Sequence, residues 1–495
     1  MSKIIIQNGN MCELDLPLKF AQKLYNEFAI RHPNAFYLRT RQRGMQNWDG
    51  KIHYITKTGQ FKIGLLPKVY DMCIEMGIKP KVVDMRQPLP KVSKVVTKIG
   101  KYKLRPEQEK AVKAVINNTI GGKPFHIGVL DYTVNAGKTL IMSSLYLSYK
   151  KQLKTLLITN DSDWLNQARE EFKQYLPGED ITFVQGKVLN WSNFTIGMVQ
   201  SISRNMRFYQ KELSQIDMVL VDEADQGGSK QYQNVITRLF NTRIRIGLSG
   251  TIYMSKLAKD KVKNMNLECF FGKVLAEFKL RDSIKKGYST KTVVKMVPGK
   301  PWYGNWESDC ISYKEIYDDS ITNSYTAWLM AYSRLRWNIN QGRYPALVVC
   351  KHIAHCENLY KFFKKKLGDA YNIAYVHVNT KSKLRQQIMK DFRDGKIDIL
   401  VSTTIIARGK NFPKLRYLLN AASMDSQEKS IQFLGRLVRT DKSKKKVYLD
   451  DLHYPGNYLD RHGKHRKQYY QRQELKVILL DKLWKKHPNH SLIKS

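Results

Sequence analysis

The chain has 495 residues, among them 85 lysines and arginines against 43 aspartates and glutamates, for a formal net charge of +42. Such a length exceeds what one ordinary hydrophobic core supports and favours about three domains. So one-sided a charge would repel a compact chain unless a polyanion accompanies it. General solubility, the alternative, seldom needs so one-sided a balance, so the composition predicts a nucleic-acid partner.

Cysteine usage and hydropathy bear on the compartment. The six cysteines are scattered over the chain, which favours a reducing compartment over a disulfide framework. The chain starts with Met1, Ser2 and Lys3 and shows no secretory segment there. No apolar stretch approaches the ~18–20 residues needed to cross a bilayer. We therefore expect a cytoplasmic protein.

Residues 1–96 predict a small, separate α/β module that contacts DNA. Four apolar residues recur at helical spacing: Leu18, Ala21, Tyr25 and Phe28. Residues 36–43 predict a strand that places three arginines on one face: Arg39, Arg41 and Arg43. Trp48 follows in a turn beside Lys51, so an aromatic ring joins a run of cations, a combination that suits DNA. A solvated face with a purely structural turn is the alternative.

Beyond residue 96, helical patterns alternate with short apolar runs, as in buried parallel sheets with crossover helices. The first set of runs is 155–159, 194–199, 218–221 and 244–248. The second set is 346–350, 397–401, 417–420 and 446–449. The predicted fold class is α/β, with parallel-sheet domains over 97–286 and 287–450 and a basic, aromatic tail over 451–495. We expect a helix in the tail, either as simple surface or in contact with a nucleic-acid backbone.

A phosphate-binding loop follows a predicted strand that ends near Leu130. The residues whose backbone would cradle phosphate are Thr133, Val134, Asn135, Ala136 and Gly137. Lys138 would neutralise the β- and γ-phosphates of a bound nucleotide, and the Thr139 hydroxyl would ligate Mg²⁺. Tyr132 stands where the general pattern has its first glycine, which lowers the specificity of this motif taken alone.

Two carboxylates end another predicted strand, at the edge of a parallel sheet where ligands bind. Asp222 can hold Mg²⁺, and Glu223 is placed to orient and deprotonate an attacking water. An acidic surface turn is the alternative, and the phosphate loop upstream argues against it. The pair therefore supports a nucleotide-hydrolysing site.

Two arginines come late in the chain, three residues apart. A helix would present Arg436 and Arg439 on one face. Guanidinium groups on that face, directed across an interdomain cleft, could stabilise charge on a transferred phosphoryl group. A pair of surface arginines is the alternative. Because these arginines and the phosphate loop belong to different predicted domains, we expect hydrolysis to require domain closure.

A run of soft ligands offers a different interpretation. Cys350, His352, His355 and Cys356 lie within seven residues. Structural zinc sites draw their ligands from two separated pairs, and so short a run leaves little room for a tetrahedral site. We therefore do not predict zinc here.

Taken together, the motifs resemble those of helicase superfamily 2, over residues 103–450. The resemblance implies two tandem RecA-like domains behind the N-terminal module. It also implies an adenine-reading element at Arg105 and Gln108, and further nucleotide contacts at Gly409 and Asn411. The residues it implies for nucleic-acid contact are Gln200, Ser201, Lys351, His352, Thr403 and Thr404.

Some residues depart from the superfamily pattern. Asn411 stands where many members have an aspartate that touches ribose, and Asn135 stands where many have glycine. Asparagine tolerates left-handed backbone and still forms hydrogen bonds, so we expect activity with altered nucleotide discrimination. Residues 222–225 spell the DEAD box, but Ser249, Gly250 and Thr251 replace the Ser-Ala-Thr of the DEAD-box RNA helicases. The similarity is stronger to recombination helicases of phages and covers nearly the whole chain.

The resemblance implies an ATP- and Mg²⁺-dependent DNA helicase or translocase, acting on branched or forked duplex and single strands in recombination, repair and replication. An RNA or R-loop helicase is one alternative, with RNA in R-loops as partner. A nucleic-acid-binding ATP switch without strand separation is another. We expect a monomer without a membrane partner.

Overall fold

The computed structural model describes residues 2–41, 45, 47–149, 152–186, 188–252, 258–299, 312–407 and 412–480. The chain forms two compact units, Met1–Phe278 and Lys279–Ser495. Among the described helices, none has the length and apolar character needed to cross a membrane. Each unit is built around one large sheet.

The N-terminal segment of the first unit contains a four-stranded sheet and three helices. Its strand order is β5-β2-β1-β6, and β6 pairs parallel to β1. The strands of this segment, within that sheet and outside it, are β1 (Lys3–Ile6), β2 (Met11–Asp15), β3 (Ala29–Arg31), β4 (Lys51–His53), β5 (Gln60–Lys62), β6 (Lys81–Asp84), β7 (Lys98–Ile99) and β8 (Tyr102–Lys103). The helices are α1 (Leu18–Glu27), α2 (Ala35–Arg41) and α3 (Leu66–Glu75).

The predicted strand over residues 36–43 is wrong, because α2 occupies its described part. Arginine and leucine favour helices, and no strand among the described residues pairs with this short segment. The Arg41 guanidinium lies 4.8 Å from the Tyr37 ring centroid, a contact of residues four apart that only a helix provides. Arg39 and Arg41, two apart on a helix, therefore point to different sides, and Arg43 lies outside the described residues.

The N-terminal segment is also not a separate module. Its apolar side chains join one continuous core with those of the large sheet that follows, Ile4 and Leu65 packing in the same cluster as Ile127 and Val219. The amide of Gly9 donates to the Phe240 carbonyl at 2.6 Å. Sequence reasoning missed this because a shared core depends on contacts between residues more than a hundred positions apart.

The large sheet of the first unit has eight strands in the order β14-β13-β15-β12-β16-β17-β11-β18. Its strands are β11 (His126–Tyr132), β12 (Thr155–Thr159), β13 (Ile181–Gln185), β14 (Val188–Leu189), β15 (Phe194–Met198), β16 (Met218–Asp222), β17 (Ile244–Ser249) and β18 (Val274–Phe278), and a small hairpin pairs β9 (Thr119–Ile120) with β10 (Lys123–Pro124). Only β14 runs antiparallel to its neighbour. All four predicted apolar runs are strands of this sheet, and their residues are buried because helices cover both faces.

Helices connect the strands of the first unit. They are α4 (Pro106–Ile116), α5 (Lys138–Ser148), α6 (Ser162–Tyr175), α7 (Val199–Arg204), α8 (Gln210–Ser214), α9 (Lys230–Ile236) and α10 (Ala258–Phe271). β11 is followed directly by the phosphate loop and α5, as a strand–loop–helix motif requires.

The second unit carries a parallel sheet of seven strands in the order β21-β22-β20-β23-β24-β19-β25. The strands are β19 (Lys291–Pro298), β20 (Ala346–Cys350), β21 (Ile373–Val376), β22 (Ile399–Thr403), β23 (Tyr417–Asn420), β24 (Lys446–His453) and β25 (Val477–Leu479). The helices are α11 (Leu280–Lys285), α12 (Tyr313–Tyr317), α13 (Tyr325–Ile339), α14 (Ile353–Leu367), α15 (Ser382–Asp394), α16 (Gln427–Leu437) and α17 (Asn457–Arg472). Two parallel sheets in tandem confirm the predicted fold class.

The segment predicted as a basic tail forms a helix, α17, but its described part is not a free surface. Arg466 is fully buried, and its guanidinium donates to both carboxylate oxygens of Asp451 on β24, at 2.9 and 3.1 Å from Nε. The Tyr470 hydroxyl donates to the same carboxylate at 2.7 Å. Buried ion pairs of this kind fix one arrangement of the helix on the sheet. Basic composition misled the prediction because it does not show which cations have partners.

Candidate active site and nucleic-acid contacts

The phosphate loop lies at the carboxyl edge of the first large sheet, between β11 and α5. Asn135 and Gly137 have φ of +64° and +73°, so the chain turns sharply before the helix begins. Asparagine tolerates the left-handed backbone found at residue 135, and the effect on nucleotide discrimination stays a prediction. A Cβ on Gly137 would come within 2.3 Å of the Gln108 amide nitrogen, so this position requires glycine. Lys138 and Thr139 open α5, where helix amides favour anions.

Two side chains hold this loop in place. The Gln108 amide nitrogen donates to the Ala136 carbonyl at 2.8 Å, and its oxygen accepts from the Arg105 amide at 2.8 Å. The Tyr132 hydroxyl donates to the Glu107 carbonyl at 2.7 Å. Tyr132, which stands where the general phosphate-loop pattern has its first glycine, thus ties the end of β11 to the first turn of α4. The structure shows Gln108 supporting the loop, and its reading of adenine stays a prediction.

Asp222 ends β16 at the same edge of the sheet. The register of β17 with β11 and β16 pairs Asp131 with Ser249 and Asp222 with Leu248, which aligns the carboxyl ends of these parallel strands. Burial raises the pKa of the Asp222 carboxyl, while the nearby Lys138 ammonium acts most strongly against that rise. The phosphate loop and the predicted Mg²⁺ ligand therefore meet in one place.

A third carboxylate in this site was not among the predicted residues. The Ser249 hydroxyl donates to Asp225 Oδ1 at 2.6 Å, and both side chains are buried. The Thr251 amide donates back to Ser249 Oγ at 3.1 Å. The acidic run after β16 and the Ser-Gly-Thr segment after β17 are therefore joined by hydrogen bonds. The signal was present in the sequence, because both segments follow apolar runs of the same sheet.

Glu223, the predicted base, adopts left-handed backbone with φ of +52° directly after the strand. Its carboxylate accepts from the Gln226 amide at 3.4 Å, and the Gln226 amide oxygen accepts from Asn160. The Gln200 amide donates to the Asn160 carbonyl at 3.4 Å. A predicted nucleic-acid contact, Gln200, and the predicted base thus belong to one chain of hydrogen bonds. Ser201 follows Gln200 on α7, and its hydroxyl accepts a hydrogen bond from the Gly186 amide at 2.9 Å.

The predicted arginine pair belongs to the second unit. Arg436 lies in the last turn of α16, which ends at Leu437, so Arg439 lies beyond the helix. The Arg439 carbonyl accepts from the Thr290 hydroxyl at 3.1 Å. A common helical face for the two arginines is therefore wrong. Thr290, which directly precedes β19, donates to the carbonyls of Val438 and Arg439, and these hydrogen bonds hold the chain outside the helix there.

The nucleic-acid contacts implied for the second unit cluster at the carboxyl edge of its sheet. Lys351 follows β20, and its ammonium lies 4.2 and 4.8 Å from the ring centroids of Tyr313 and Tyr317. Desolvation lowers the pKa of the Lys351 ammonium and of the His352 imidazole. Thr403 ends β22, and the Thr404 hydroxyl accepts from the Lys429 ammonium at 3.3 Å. The parallel strands thus bring the four residues Lys351, His352, Thr403 and Thr404 to one edge.

The run of cysteines and histidines after β20 is divided between core and surface. Cys350, Cys356 and His355 are buried, and burial lowers the pKa of His355 to about 3. The Cys356 thiol donates to the Val401 carbonyl at 3.5 Å. Among the described residues, no group of three or more histidine, cysteine or acidic side chains is arranged to hold a metal.

The N-terminal cations line a surface cavity of about 520 Å³ whose walls include Arg31, Arg39, Lys51 and Asp49. Trp48 has a structural role, because its indole nitrogen donates to the Lys51 carbonyl at 2.9 Å and its ring meets His32 edge-on. Arg41 lies at the end of α2, outside the cavity lining. Gly409 and Asn411, the remaining predicted nucleotide contacts, lie outside the described residues.

Comparison with known families identifies both halves of the core. Residues 101–254 match the family "Type III restriction enzyme, res subunit", and residues 331–441 match "Helicase conserved C-terminal domain". Together with the two parallel sheets and the phosphate loop, these matches define a nucleic-acid helicase core. The chain belongs to helicase superfamily 2.

Curated relatives are distant. A putative helicase of Sulfolobus islandicus filamentous virus is 23% identical over 71% of this chain and 64% of its own length. An ATP-dependent RNA helicase of Candida albicans is 23% identical over 46% of this chain and 33% of its own length. The chain thus spans less than two thirds of the length of either relative.

Solved structures support the fold. A putative HsdR subunit fragment of a type I restriction enzyme from Vibrio vulnificus matches 87% of this chain and 78% of its own, at 14% identity and a TM-score of 0.58. Yeast Dbp5 bound to RNA and ADP BeF3 matches 79% of this chain and 93% of its own, at 13% identity and 0.53. UvsW of phage T4 matches 97% and 98% of the two chains at 19% identity, but its TM-score of 0.44 is too low to carry an argument.

Proposed function

We propose that this superfamily 2 helicase is an ATP-dependent DNA helicase or translocase that acts on branched DNA. The observation that carries the proposal is the meeting of Lys138, Asp222 and the left-handed phosphate loop at one sheet edge. That edge is where ligands bind in open parallel sheets. It supports nucleotide hydrolysis, and the net charge of +42 supports a nucleic-acid track.

The residues at this edge fit ATP with Mg²⁺. Thr139 and Asp222 offer the hard oxygen ligands that Mg²⁺ prefers. The Thr133 hydroxyl is buried in the loop without a protein partner among the described residues, which suits a phosphate-binding loop. Lys138 would neutralise the β- and γ-phosphates, and Glu223 would orient and deprotonate the attacking water. Bound ATP would supply the phosphoryl group transferred to that water.

An RNA helicase is the second candidate. The Candida relative is an RNA helicase, and the yeast Dbp5 structure holds RNA. Similarity at this level of identity supports only the fold and so does not choose between nucleic acids. The Ser249-Gly250-Thr251 segment, which differs from the Ser-Ala-Thr of DEAD-box RNA helicases, favours DNA.

A direct comparison tests the proposal. ATP hydrolysis by the full chain should be stimulated more by forked DNA than by single-stranded or duplex RNA of equal length. A strand-displacement assay on the same fork should show ATP-dependent separation. Stronger stimulation and displacement by RNA would favour the second candidate. Hydrolysis without strand separation or branch movement on any substrate would leave only an ATP switch.

A role for Arg436 in the transition state predicts a specific kinetic change. Arg436→Ala should lower kcat by at least about 10²-fold while changing the affinity for ATP little, because such an arginine acts mainly on charge that develops during transfer. Steady-state hydrolysis and equilibrium binding of a fluorescent ATP analogue would measure the two quantities. Arg393→Ala, an exposed arginine on α15, is the matched control. A rise in KM at constant kcat would contradict the proposed role.

The cavity beside α2 predicts that its cations affect DNA binding and leave the rate of ATP hydrolysis unchanged. Arg31→Ala combined with Arg39→Ala, which removes two arginines of the cavity lining, should weaken binding to forked DNA and make its salt dependence shallower by about 0.9 per lost phosphate contact. The rate of ATP hydrolysis at saturating DNA should stay close to that of the parent. Lys19→Ala with Lys23→Ala removes two exposed lysines of α1 and controls for charge. Equal losses in both double variants would remove the assignment of this cavity to DNA.

A further inference from the structure

The second unit carries a group of cations on the part of its sheet away from the predicted nucleic-acid contacts. Lys446 begins β24, Arg343 lies shortly before β20 begins, and Lys295 lies within β19. The predicted contacts Lys351 and Thr404 instead follow the ends of β20 and β22. In a parallel sheet, strand beginnings and strand ends form opposite edges.

Aromatic rings hold these cations. The ammonium of Lys295 lies 4.8 Å from the Trp337 ring centroid, and the Arg343 guanidinium lies 4.7 Å from it. The same guanidinium lies 3.6 Å from the Tyr448 ring centroid, and the Lys446 ammonium lies 6.0 Å from it. We call these five residues the Trp337 cluster. Trp337 itself is 42% exposed, so the cluster faces solvent.

The three cations of the cluster are not neutralised by nearby acids. Arg334 also contacts the Trp337 ring, but its charge is matched by the buried carboxylate of Asp450 at 2.7 Å. For Lys295, Arg343 and Lys446, no carboxylate oxygen of the described residues lies within 4.0 Å. Partial burial, and secondarily the cations around it, lower the pKa of Lys295 although Asp450 acts in the opposite direction. The cluster therefore brings together positive charges that repel one another, and a bound external anion would reduce that repulsion.

We propose that the Trp337 cluster is a second binding site for the phosphate backbone of nucleic acid, distinct from the edge that carries Lys351 and Thr404. Cation–π contacts restrict the side chains of Lys295 and Arg343, so less conformational entropy is lost when they bind phosphate. Three cations spread over two neighbouring rings suit successive phosphates of one strand better than a single small anion. The inference rests on the nucleic-acid partner of the proposed function and adds a contact that a helicase core does not require.

Salt dependence tests the site quantitatively. The triple variant Lys295→Gln, Arg343→Gln, Lys446→Gln should bind forked DNA more weakly. The slope of log affinity against log salt concentration should become shallower by about 0.9 per lost contact on duplex, or about 0.7 on single strands. Fluorescence anisotropy between low and moderate salt would give the slope for the parent and for the triple variant. A difference that is a multiple of about 0.9 would indicate duplex at the cluster, and a multiple of about 0.7 would indicate a single strand.

A charge-matched variant separates a site from general electrostatics. Lys361→Gln, Lys365→Gln, Lys366→Gln removes three exposed lysines of α14 and should leave the slope nearer that of the parent. In the unaltered chain, bound DNA should also protect Lys295 and Lys446 from acetylation at least several-fold, as read by mass spectrometry. Equal slopes in the cluster variant and the parent, or unprotected lysines, would overturn the site even if DNA stimulates ATP hydrolysis. Absence of DNA binding by the parent would instead refute the proposed function.

Discussion

Replacement of Lys138 by alanine should abolish ATP hydrolysis, with a loss of at least about 10²-fold in kcat, while DNA affinity without nucleotide stays near that of the parent. The reason is local, because Lys138 opens α5 beside the buried Asp222 carboxylate. Preorganised positive charge at a phosphoryl-transfer site contributes several kcal/mol to the transition state. Hydrolysis assays with saturating DNA and anisotropy without ATP would measure the two effects.

Glu223→Gln provides the companion test at the same sheet edge. It keeps the shape of the side chain and loses the base, so the variant should bind ATP and stall before hydrolysis. A filter-binding assay with radiolabelled ATP would show retained binding. Parent-like turnover in Lys138→Ala would remove the phosphate-loop assignment, whereas parent-like turnover only in Glu223→Gln would remove the assignment of the base.

The second large effect concerns stability. Arg466→Ala should destabilise the second unit by about 3–5 kcal/mol, because it leaves the Asp451 carboxylate buried without its cation. The Arg466 guanidinium also donates to the carbonyls of Met424 and Leu452, at 3.0 and 2.9 Å, and both would lose that partner. Hydrogen exchange in the full chain should become faster in β24 and α17 and stay unchanged in β16 of the first unit.

Lys464→Ala is the matched control on the same helix. Lys464 is exposed and pairs with Asp460 at the surface, where such pairs contribute at most about 1 kcal/mol. Its removal should leave exchange in β24 close to that of the parent. If Arg466→Ala and Lys464→Ala gave the same small change, the buried ion pair would not be what fixes α17 on the sheet.

Strands buried on both faces were predictable from the sequence with accurate positions. The apolar run 155–159 is β12 itself, and 218–221 is β16 without its last residue, Asp222. A strand covered on both faces has no polar positions, so its pattern is local and complete. The segment 36–43 failed for the converse reason. Alternation over a few residues fits a helix as well as a strand, and only a partner strand, which is a distant segment, could have decided between them.

Part of the candidate site was likewise predictable from the sequence, and part was not. The placement of Lys138, Asp222 and Glu223 at one sheet edge was predictable because each lies at or beyond the end of a buried strand, and the carboxyl ends of parallel strands share an edge. The support of the loop by Gln108 was not, since it depends on an amide of α4 meeting the Ala136 carbonyl. The hydrogen bond between Ser249 and Asp225 was predictable only in part, because the sequence shows that each lies at or after the end of an apolar run but does not show that β16 and β17 are neighbours in the sheet.

The shared core of the first unit limits which of its residues can change independently. Arg245, on β17, is fully buried, and its guanidinium donates to the Gly9 carbonyl at 2.6 Å and to Asn10 Oδ1 at 2.7 Å. Burial lowers the pKa of Arg245 to about 9. The buried cation is stabilised by these two acceptors and by the Phe270 carbonyl at 3.2 Å. Replacing residues 1–100 with an unrelated segment that does not pack on β17 would leave Arg245 buried without either acceptor. We therefore expect residues 1–100 and β17 to change together, or a compensating change at residue 245 to accompany any such replacement.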